Sequence, residues 1–181
     1  MISENMNYDE IKFVRLSCEH DLTSFDCGNR DLNDFLLHDA KLYQDGLVAV
    51  TYLVEYEDKV AGYFSLSNDK LSIKDGSKSN WRKIKSLFSH SKHRGDYPAV
   101  KVGRLAVGID YQGYDIGSRI LDFIKYTFVD KNRAGCVFVT VDALIEAVGF
   151  YAKNRFKVLD SRQENDGCQT VSMYYNLLEL V

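Results

Sequence analysis

The chain is poor in proline: Pro98 is the only one among its 181 residues. It also lacks any long uninterrupted apolar run, so we expect no transmembrane helix and no membrane partner. Its first ten residues carry neither a basic segment nor an apolar one, so we expect no secretory signal. The length predicts a single domain over residues 1–181, and the apolar content of 45% is ordinary for a globular protein, which we expect in the cytoplasm.

Cysteine is sparse, and its spacing excludes common metal sites. None of the four cysteines forms a C-x-x-C pair, and none has a histidine at metal-ligand spacing; they are Cys18, Cys27, Cys136 and Cys168. We therefore expect reduced thiols and no metal.

Positive charge is not in excess, because the formal net charge is −3, which argues against a general nucleic-acid binder. Basic residues nevertheless concentrate in the segment 74–104, as Lys74, Lys78, Arg82, Lys83, Lys85, Lys92, Arg94, Lys101 and Arg104. This segment predicts either a solvated surface or a surface for an RNA backbone, with Trp81 available to stack on a base.

The first half of the chain predicts a strand, a helix and a hairpin. Residues 11–17 form the strand, and the helix runs from an N-cap at Asn29 to Ala40, with apolar residues at helical spacing. The hairpin joins the strands Val48–Tyr56 and Lys59–Leu66 through a turn at Glu57–Asp58.

The second half alternates helices and strands. The predicted elements are a short helix near Trp81–Phe88, a strand Val100–Val107 after a loop that ends at Pro98, a helix from Ile116 to about Asn132, a strand Cys136–Val141, a helix Ile145–Lys153 with Asn154 as a left-handed C-cap, and a strand Thr170–Asn176. A strand, helix and strand in succession make the flanking strands parallel. The pattern predicts an α/β (α+β) fold: one mixed, mostly antiparallel sheet with a central parallel βαβ unit and flanking helices.

The turn Gln112–Gly117 leads directly from a strand into the helix that begins at Ile116. The first N–H groups of a helix have no partner within it, and together with the helix dipole they suit a phosphorylated ligand. Taken alone, this turn is equally typical of an ordinary strand-to-helix connection. Asp115 stands where such a turn prefers glycine.

The run Gly103–Leu121 resembles motif A of the GCN5-related N-acetyltransferases (GNAT), a hydrophobic strand followed by Q/R-x-x-G-x-G/A. Asp115 replaces the first glycine of that motif. The resemblance implies the GNAT fold and acetyl-CoA as co-substrate, with the Val107 N–H polarising the acetyl carbonyl. The residues it assigns to acetyl-CoA are Leu105, Ala106, Val107, Gln112, Gly113, Tyr114, Asp115, Ile116, Gly117 and Ser118.

A second segment, Ala147–Phe156, resembles the A-x-x-F-Y-x-K-x-G-F segment of the same family. The resemblance implies that Tyr151 is the general acid for the departing CoA thiolate. It also places Asn154 among the CoA-binding residues. Arg155 stands where the family has glycine, and we expect Asn154 to end the helix instead.

A third segment, Ser24–Leu36, resembles the F-x-C-G-x-x-x-L-N-x-F-L opening of the toxin-type acetyltransferases of toxin–antitoxin systems. Gly62–Ser67 and Val102–Val107 continue that likeness. It implies an acceptor at the α-amine of aminoacyl-tRNA, bound through the basic segment, and an antitoxin partner.

The motifs together predict an acetyl-CoA-dependent N-acetyltransferase in which a primary amine attacks the thioester directly. No general base is evident; Glu55 on the hairpin and water are the candidates. Three functions stay open at this point: acetylation of a small or protein amine, acetylation of aminoacyl-tRNA, and a non-catalytic domain that binds CoA or a protein. A homodimer also stays open.

Overall fold

The computed structural model describes residues 6–72, 78–86, 95–130, 134–159 and 169–181. The strands are β1 (Lys12–Arg15), β2 (Val50–Tyr56), β3 (Lys59–Ser72), β4 (Asp96–Val107), β5 (Phe138–Leu144), β6 (Lys157–Val158) and β7 (Thr170–Asn176). The α-helices are α1 (Arg30–Asp34), α2 (Ala40–Asp45), α3 (Lys78–Ser86), α4 (Ile116–Asp130) and α5 (Val148–Lys153). Within the described residues, 3₁₀ turns accompany them at Tyr8–Glu10, Ile109–Tyr111, Ile145–Ala147 and Leu177–Leu180.

The strands form a seven-stranded mixed sheet in the order β1-β2-β3-β4-β5-β7-β6. β4 and β5 are parallel, whereas the pairs β1–β2, β2–β3, β5–β7 and β6–β7 are antiparallel. The predicted fold class, a mixed and mostly antiparallel sheet with a central parallel βαβ unit, is therefore confirmed. The chain divides into two compact units, one of Met1–Ser67 with Val102–Ile124 and one of Asn68–Lys101 with Lys125–Val181.

The hairpin of the first unit is stabilised by its turn and bent by a bulge. Glu57 and Asp58 both have positive φ, at 48° and 59°, the conformation that matches the twist of paired strands. The register then shifts, because Glu55 pairs with Val60 whereas Val54 pairs with Gly62. Ala61 is the extra residue, and its carbonyl accepts a hydrogen bond from the Gly108 N–H at 2.9 Å.

The predicted N-terminal helix is present, but it contains a π turn. Asn29 is the N-cap, as predicted, and its side chain accepts a hydrogen bond from the Leu32 N–H at 3.2 Å. The π turn spans Phe35–Asp39 and joins α1 to α2, with the Ala40 N–H donating to the Phe35 carbonyl. The core of this unit packs under these elements and includes Leu16, Phe25, Phe35, Leu36, Leu53, Tyr63 and Ala106.

In the second unit, two expectations about the basic segment are wrong. Pro98 lies inside β4 rather than before it; its carbonyl accepts from the Val137 N–H at 3.0 Å, and pairing with β5 begins only at Ala99. A proline is tolerated there because the ladder with β5 does not need its missing N–H. Trp81 is only 4% exposed and stacks on Tyr97 at 6.0 Å, so it is a core residue and not available to a base.

Other boundaries shift by a few residues. β3 continues to Ser72 instead of ending at Leu66, and β5 runs from Phe138 to Leu144. The predicted end of α4 at Asn132 lies outside the described residues, as do Cys168 and the end of the helix predicted at Trp81–Phe88. The other three cysteines are free thiols. None of the described helices is long and apolar enough to span a membrane.

Candidate functional site

The turn that follows β4 is held in shape by the side chain of Gln112. Its amide nitrogen donates to the carbonyls of Val107 and Cys27, both at 3.1 Å. The first contact closes the turn on the end of its own strand, and the second ties it to the loop before α1. The Gln112 side chain therefore anchors this turn.

The loop around Cys27 is itself rigidly bonded. Asp26 accepts hydrogen bonds from the Gly28 N–H at 2.8 Å and from the Asn33 amide at 2.7 Å, and these contacts lower the pKa of its carboxyl. Asn33 in turn accepts from the Cys27 N–H at 3.0 Å. The Ile109 N–H donates to the Asp26 carbonyl at 2.8 Å. The loop that contains the F-x-C-G motif is thus hydrogen-bonded internally and to the turn before α4.

Six consecutive backbone N–H groups, those of residues 113–118, donate no hydrogen bond of ordinary length and angle within the described part of the chain. The first bond of α4 is donated by Arg119 to the Asp115 carbonyl, at 3.1 Å. Because α4 is 15 residues long, its dipole adds a positive potential at the same place. Donors and dipole together have the polarity that suits an anion such as a pyrophosphate.

Asp115 adopts the conformation that the turn needs despite not being glycine. Its φ is +59°, in the left-handed region, and its side chain is exposed. Aspartate is one of the few residues that visit this region at modest cost, so the backbone of the turn is preserved. Gly113, two residues earlier, also has a positive φ, of +87°. What Asp115 changes is the local charge.

The end of β4 is approached closely by β3 at a glycine. A Cβ atom on Gly62 would lie 2.8 Å from the Ala106 carbonyl oxygen and 3.6 Å from the Val107 Cα. Only glycine permits this approach, which presses β3 against the backbone of Ala106 and Val107. Gly62 lies in a segment that resembles the toxin-type enzymes, but the resemblance gave it no role; the available signal was a glycine between Ala61 and Tyr63 in a strand.

Glu55, the candidate base on the hairpin, is paired with a histidine. Its carboxylate lies 3.5 Å from Nε2 of His20, and Nδ1 of His20 accepts from the Ser17 N–H at 3.0 Å. Glu55 lies in the same compact unit as Leu105–Val107 and the turn Gln112–Ser118.

Tyr151 and Asn154 belong to the second unit. Tyr151 is 6% exposed, with its ring against those of Phe150 and Phe156 at 5.1 and 5.4 Å. Burial raises the pKa of its hydroxyl to about 12. That hydroxyl has no hydrogen-bond partner among the described residues, so it is a protonated donor with its capacity unused at neutral pH.

The end of α5 differs from the prediction. Asn154 has φ −86°, so it is not left-handed; Arg155 is, with φ +69°. The left-handed conformation therefore falls on Arg155, at the position where the family motif has glycine. Asn154 still caps the helix, because its side chain donates to the Phe150 carbonyl at 3.0 Å. Its own carbonyl accepts from the buried Lys125 at 3.2 Å.

The described part of the basic segment is only partly a free cationic surface, and Lys74, Lys92 and Arg94 lie outside the described residues. Lys101 is paired with Asp142, and Lys70, just before the segment, with Asp96. Arg82 on α3 is exposed, and Arg104 lies over an aromatic ring of its own unit. Within the described ranges, no three His, Cys, Asp or Glu side chains come together as a metal-binding group.

The fold and the turn before α4 define a class of protein: a mixed-sheet domain with a helix N-terminus suited to a phosphorylated ligand. The family model of the acetyltransferase (GNAT) domain matches residues 49–177, and the chain belongs to that family. It is therefore an acetyl-CoA-dependent N-acetyltransferase, as its motifs predicted.

Solved structures of similar fold cover nearly the whole chain. A tyrosine-to-phenylalanine variant of KacT superimposes with a TM-score of 0.75 at 23% identity, over 95% of this chain and 99% of that one. AtaT complexed with acetyl-methionyl-tRNAfMet gives a TM-score of 0.75 at 21% identity, over 94% and 96%. AtaTR bound with AcCoA gives 0.74 at 21%, over 95% and 96%. At this level of identity the likeness establishes the GNAT fold.

Proposed function

We propose that this acetyltransferase transfers the acetyl group to the α-amine of aminoacyl-tRNA. The observation that carries the proposal is the likeness, over 94% of the chain, to AtaT in its complex with acetyl-methionyl-tRNAfMet. The hydrogen bond from Gln112 to the Cys27 carbonyl supports it, because it gives a structural role to the opening segment that resembles the toxin-type enzymes. We place the reaction in the cytoplasm, where charged tRNA is found, in keeping with three free thiols.

The donor site in this proposal is the end of β4 and the start of α4. The N–H groups of Gly113 to Ser118 receive the pyrophosphate of acetyl-CoA, and Leu105, Ala106 and Val107 line its acetyl group. Asn154, at the end of α5, contributes to CoA binding. The free N–H groups and the positive φ of Gly113 and Asp115 support this assignment.

The reaction needs a neutral amine, an oxyanion donor and an acid. The amine attacks the thioester carbonyl, and the Val107 N–H stabilises the negative charge on its oxygen. As the tetrahedral intermediate collapses, the C–S bond breaks and Tyr151 protonates the CoA thiolate. The amine loses a proton to water or to Glu55, and the amide and free CoA leave the site.

The pH dependence of this reaction follows from the protonation of the acceptor amine and of the Tyr151 hydroxyl. Only the neutral amine attacks, so kcat/KM should rise through the amine pKa, about 7.7 for a free α-amine. Tyr151 acts in its protonated form, and with a pKa of about 12 it keeps that proton throughout the neutral range. We expect a single rising limb between about pH 6 and about pH 10.

An acceptor whose amino acid is joined to RNA by an amide instead of an ester permits this measurement, because it resists alkaline hydrolysis. A fall in kcat/KM with a midpoint below about pH 9 would contradict a buried, protonated Tyr151 as the acid.

Charge at Asp115 should weaken acetyl-CoA binding, because a carboxylate beside a pyrophosphate is repelled by about 1 kcal/mol in a wet site. Asp115→Asn removes the charge but keeps a side chain that tolerates positive φ. We expect calorimetry to show an acetyl-CoA affinity about fivefold tighter than wild type, with the difference shrinking at high salt.

Asp58→Asn is the matched control, because Asp58 is also an exposed aspartate with positive φ, but in the hairpin turn. An unchanged affinity for Asp115→Asn, or an equal gain for Asp58→Asn, would show that the carboxylate of Asp115 does not face the phosphates.

A protein partner is a further part of the proposal. One of the similar structures is an AtaT variant bound to the C-terminus of the antitoxin AtaR, at a TM-score of 0.70 and 22% identity. We propose that a small antitoxin likewise neutralises this chain. Co-expression with the product of a neighbouring small gene should then give a stable complex that no longer acetylates tRNA.

The test of the function is turnover of acetyl-CoA against a panel of charged tRNAs, small amines and peptides. We expect acetylated aminoacyl-tRNA from the wild-type enzyme. Turnover with a small amine or peptide but with no charged tRNA would be consistent with an acetyltransferase and would contradict aminoacyl-tRNA as its acceptor.

A further inference from the structure

Three side chains of the first unit form a cluster beside the end of β4, on the side of the sheet where α1, the π turn and α2 pack. The guanidinium of Arg104 lies over the ring of Phe35, 5.1 Å from its centroid. Tyr43 meets the same ring edge-on at 5.5 Å. Phe35 is buried, whereas Arg104 is exposed and Tyr43 is 44% exposed. Arg104 and Tyr43 thus both contact the buried Phe35 ring while they remain exposed to solvent.

The buried ring is fixed in place from below. Phe35 stacks on Tyr63 at 6.2 Å with an interplanar angle of 17°. The Tyr63 hydroxyl donates to the Leu32 carbonyl at 2.7 Å, which joins β3 to the first turn of the helix. Phe35 is also the first residue of the π turn, an irregularity that is frequent at functional sites. The support is therefore rigid, and the two exposed groups are pre-positioned.

Arg104 has no carboxylate partner in the described part of the chain. Other exposed cations do: Lys41 pairs with Asp45, and Arg155 and Lys157 pair with Glu179. Among the described residues, the Arg104 guanidinium makes one polar contact, with the Gly103 carbonyl at 2.8 Å, and most of its five N–H groups have no acceptor there. A planar guanidinium with free N–H groups matches a phosphate in charge and in geometry.

The position of Arg104 on β4 relates it to the reacting group. It lies three residues before Val107, about 10 Å along an extended strand, and on the same face of the sheet as Ala106. On the proposed function, the amino acid of the acceptor has no free carboxylate, because that group is esterified to ribose. The anion nearest to its amine is then the phosphate of the terminal nucleotide, one ribose away.

We infer that Arg104 and Tyr43 bind the single-stranded 3′ end of the acceptor RNA, Arg104 at a phosphate and Tyr43 at the face of a base. Single-stranded RNA is bound in this way generally, by cations along the backbone and by aromatic side chains stacked on bases. The inference rests on the proposed function and selects Arg104 from the basic segment as the residue that positions the acceptor.

The experiment measures kcat and KM for a charged tRNA in the wild type and in Arg104→Ala, Arg104→Lys, Tyr43→Ala and Tyr43→Phe. We expect Arg104→Ala and Tyr43→Ala each to raise KM for tRNA about tenfold or more, with kcat within about twofold. Tyr43→Phe should restore the wild-type KM because it keeps the ring. Arg104→Lys should restore it only in part, because it keeps the charge but not the planar fork.

Salt dependence gives a second readout that a structural role would not move. Loss of one phosphate contact should make the plot of log kcat/KM against log salt shallower by about 0.7 in Arg104→Ala and leave it unchanged in Tyr43→Ala. Arg82→Ala is the control, since Arg82 is an exposed arginine of the same basic segment in the other unit.

An equal KM effect from Arg82→Ala, or unchanged KM values in Arg104→Ala and Tyr43→Ala, would overturn this inference while leaving the tRNA acceptor intact. A wild-type enzyme that acetylates no charged tRNA would instead overturn the proposed function, and this inference with it.

Discussion

Replacing Tyr151 by phenylalanine should lower kcat by about 100-fold or more while leaving the affinity for acetyl-CoA within about twofold. The substitution removes only the hydroxyl, which would protonate the CoA thiolate in the transition state. Binding of acetyl-CoA uses other groups and should not change. The ring contacts with Phe150 and Phe156 are kept, so the packing around the side chain is preserved.

Stability separates this role from a structural one. Because the Tyr151 hydroxyl has no hydrogen-bond partner among the described residues, its removal should leave the melting temperature almost unchanged. Tyr126→Phe is the matched control: Tyr126 is 60% exposed on α4, and the same chemical change there should affect neither kcat nor stability. Full turnover by the Tyr151→Phe enzyme would remove Tyr151 from the mechanism.

Replacing Gly62 by alanine should both destabilise the protein, by about 1–3 kcal/mol, and abolish most of its activity. The new methyl group would lie 2.8 Å from the Ala106 carbonyl oxygen, so the backbone of β3 or β4 must move. That movement displaces Ala106 and Val107, which line the acetyl group in the proposed site. Chemical denaturation measures the first effect and steady-state kinetics the second.

Gly103→Ala provides the comparison for this experiment. A Cβ atom on Gly103 would find its nearest neighbour, the Ser65 carbonyl oxygen, at 3.8 Å, which is an ordinary contact. We expect this variant to keep wild-type stability within about 0.5 kcal/mol. If Gly62→Ala were as stable and as active as Gly103→Ala, the close approach of β3 to the end of β4 would have no functional weight.

Much of the fold follows from local signals that the tertiary structure does not override. The turn at Glu57–Asp58 was predicted by the two strand-like runs on either side of it, and both residues have the positive φ of a tight hairpin turn. The N-cap at Asn29 was predicted by its amide, which bonds the Leu32 N–H. The parallel pairing of β4 and β5 was predicted by the helix between them, since a crossover returns the chain in the same direction.

The predictions are wrong where packing or a long-range contact determines the burial or the backbone conformation of a residue. Trp81 was expected on the surface because its neighbours in sequence are basic, yet a helix has two faces, and the indole lies on the buried one. Asn154 was expected to take the left-handed position from its propensity alone. That conformation falls instead on Arg155, whose side chain then pairs with Glu179 at 3.1 Å.

For the candidate site, the sequence identified the motif residues but not what supports them. The spacing of Gln112 and Gly117 predicted the turn, and Asp115 has the positive φ that explains why such a turn prefers glycine. No local pattern could show that Gln112 bonds the Cys27 carbonyl, because the two residues are 85 positions apart. The close approach at Gly62 and the ring that Arg104 and Tyr43 share are likewise products of the fold.

The central claim is that free N–H groups at the start of α4 hold the pyrophosphate of acetyl-CoA. Calorimetric titration of the wild-type protein with acetyl-CoA and with acetyl-pantetheine, which lacks the pyrophosphate and the nucleotide, tests it most directly. Hydrogen bonds to charged oxygens are worth about 1.5–3 kcal/mol each, so several of them predict acetyl-pantetheine binding at least about 100-fold weaker. Equal affinities for the two compounds, or no binding of acetyl-CoA, would contradict the account.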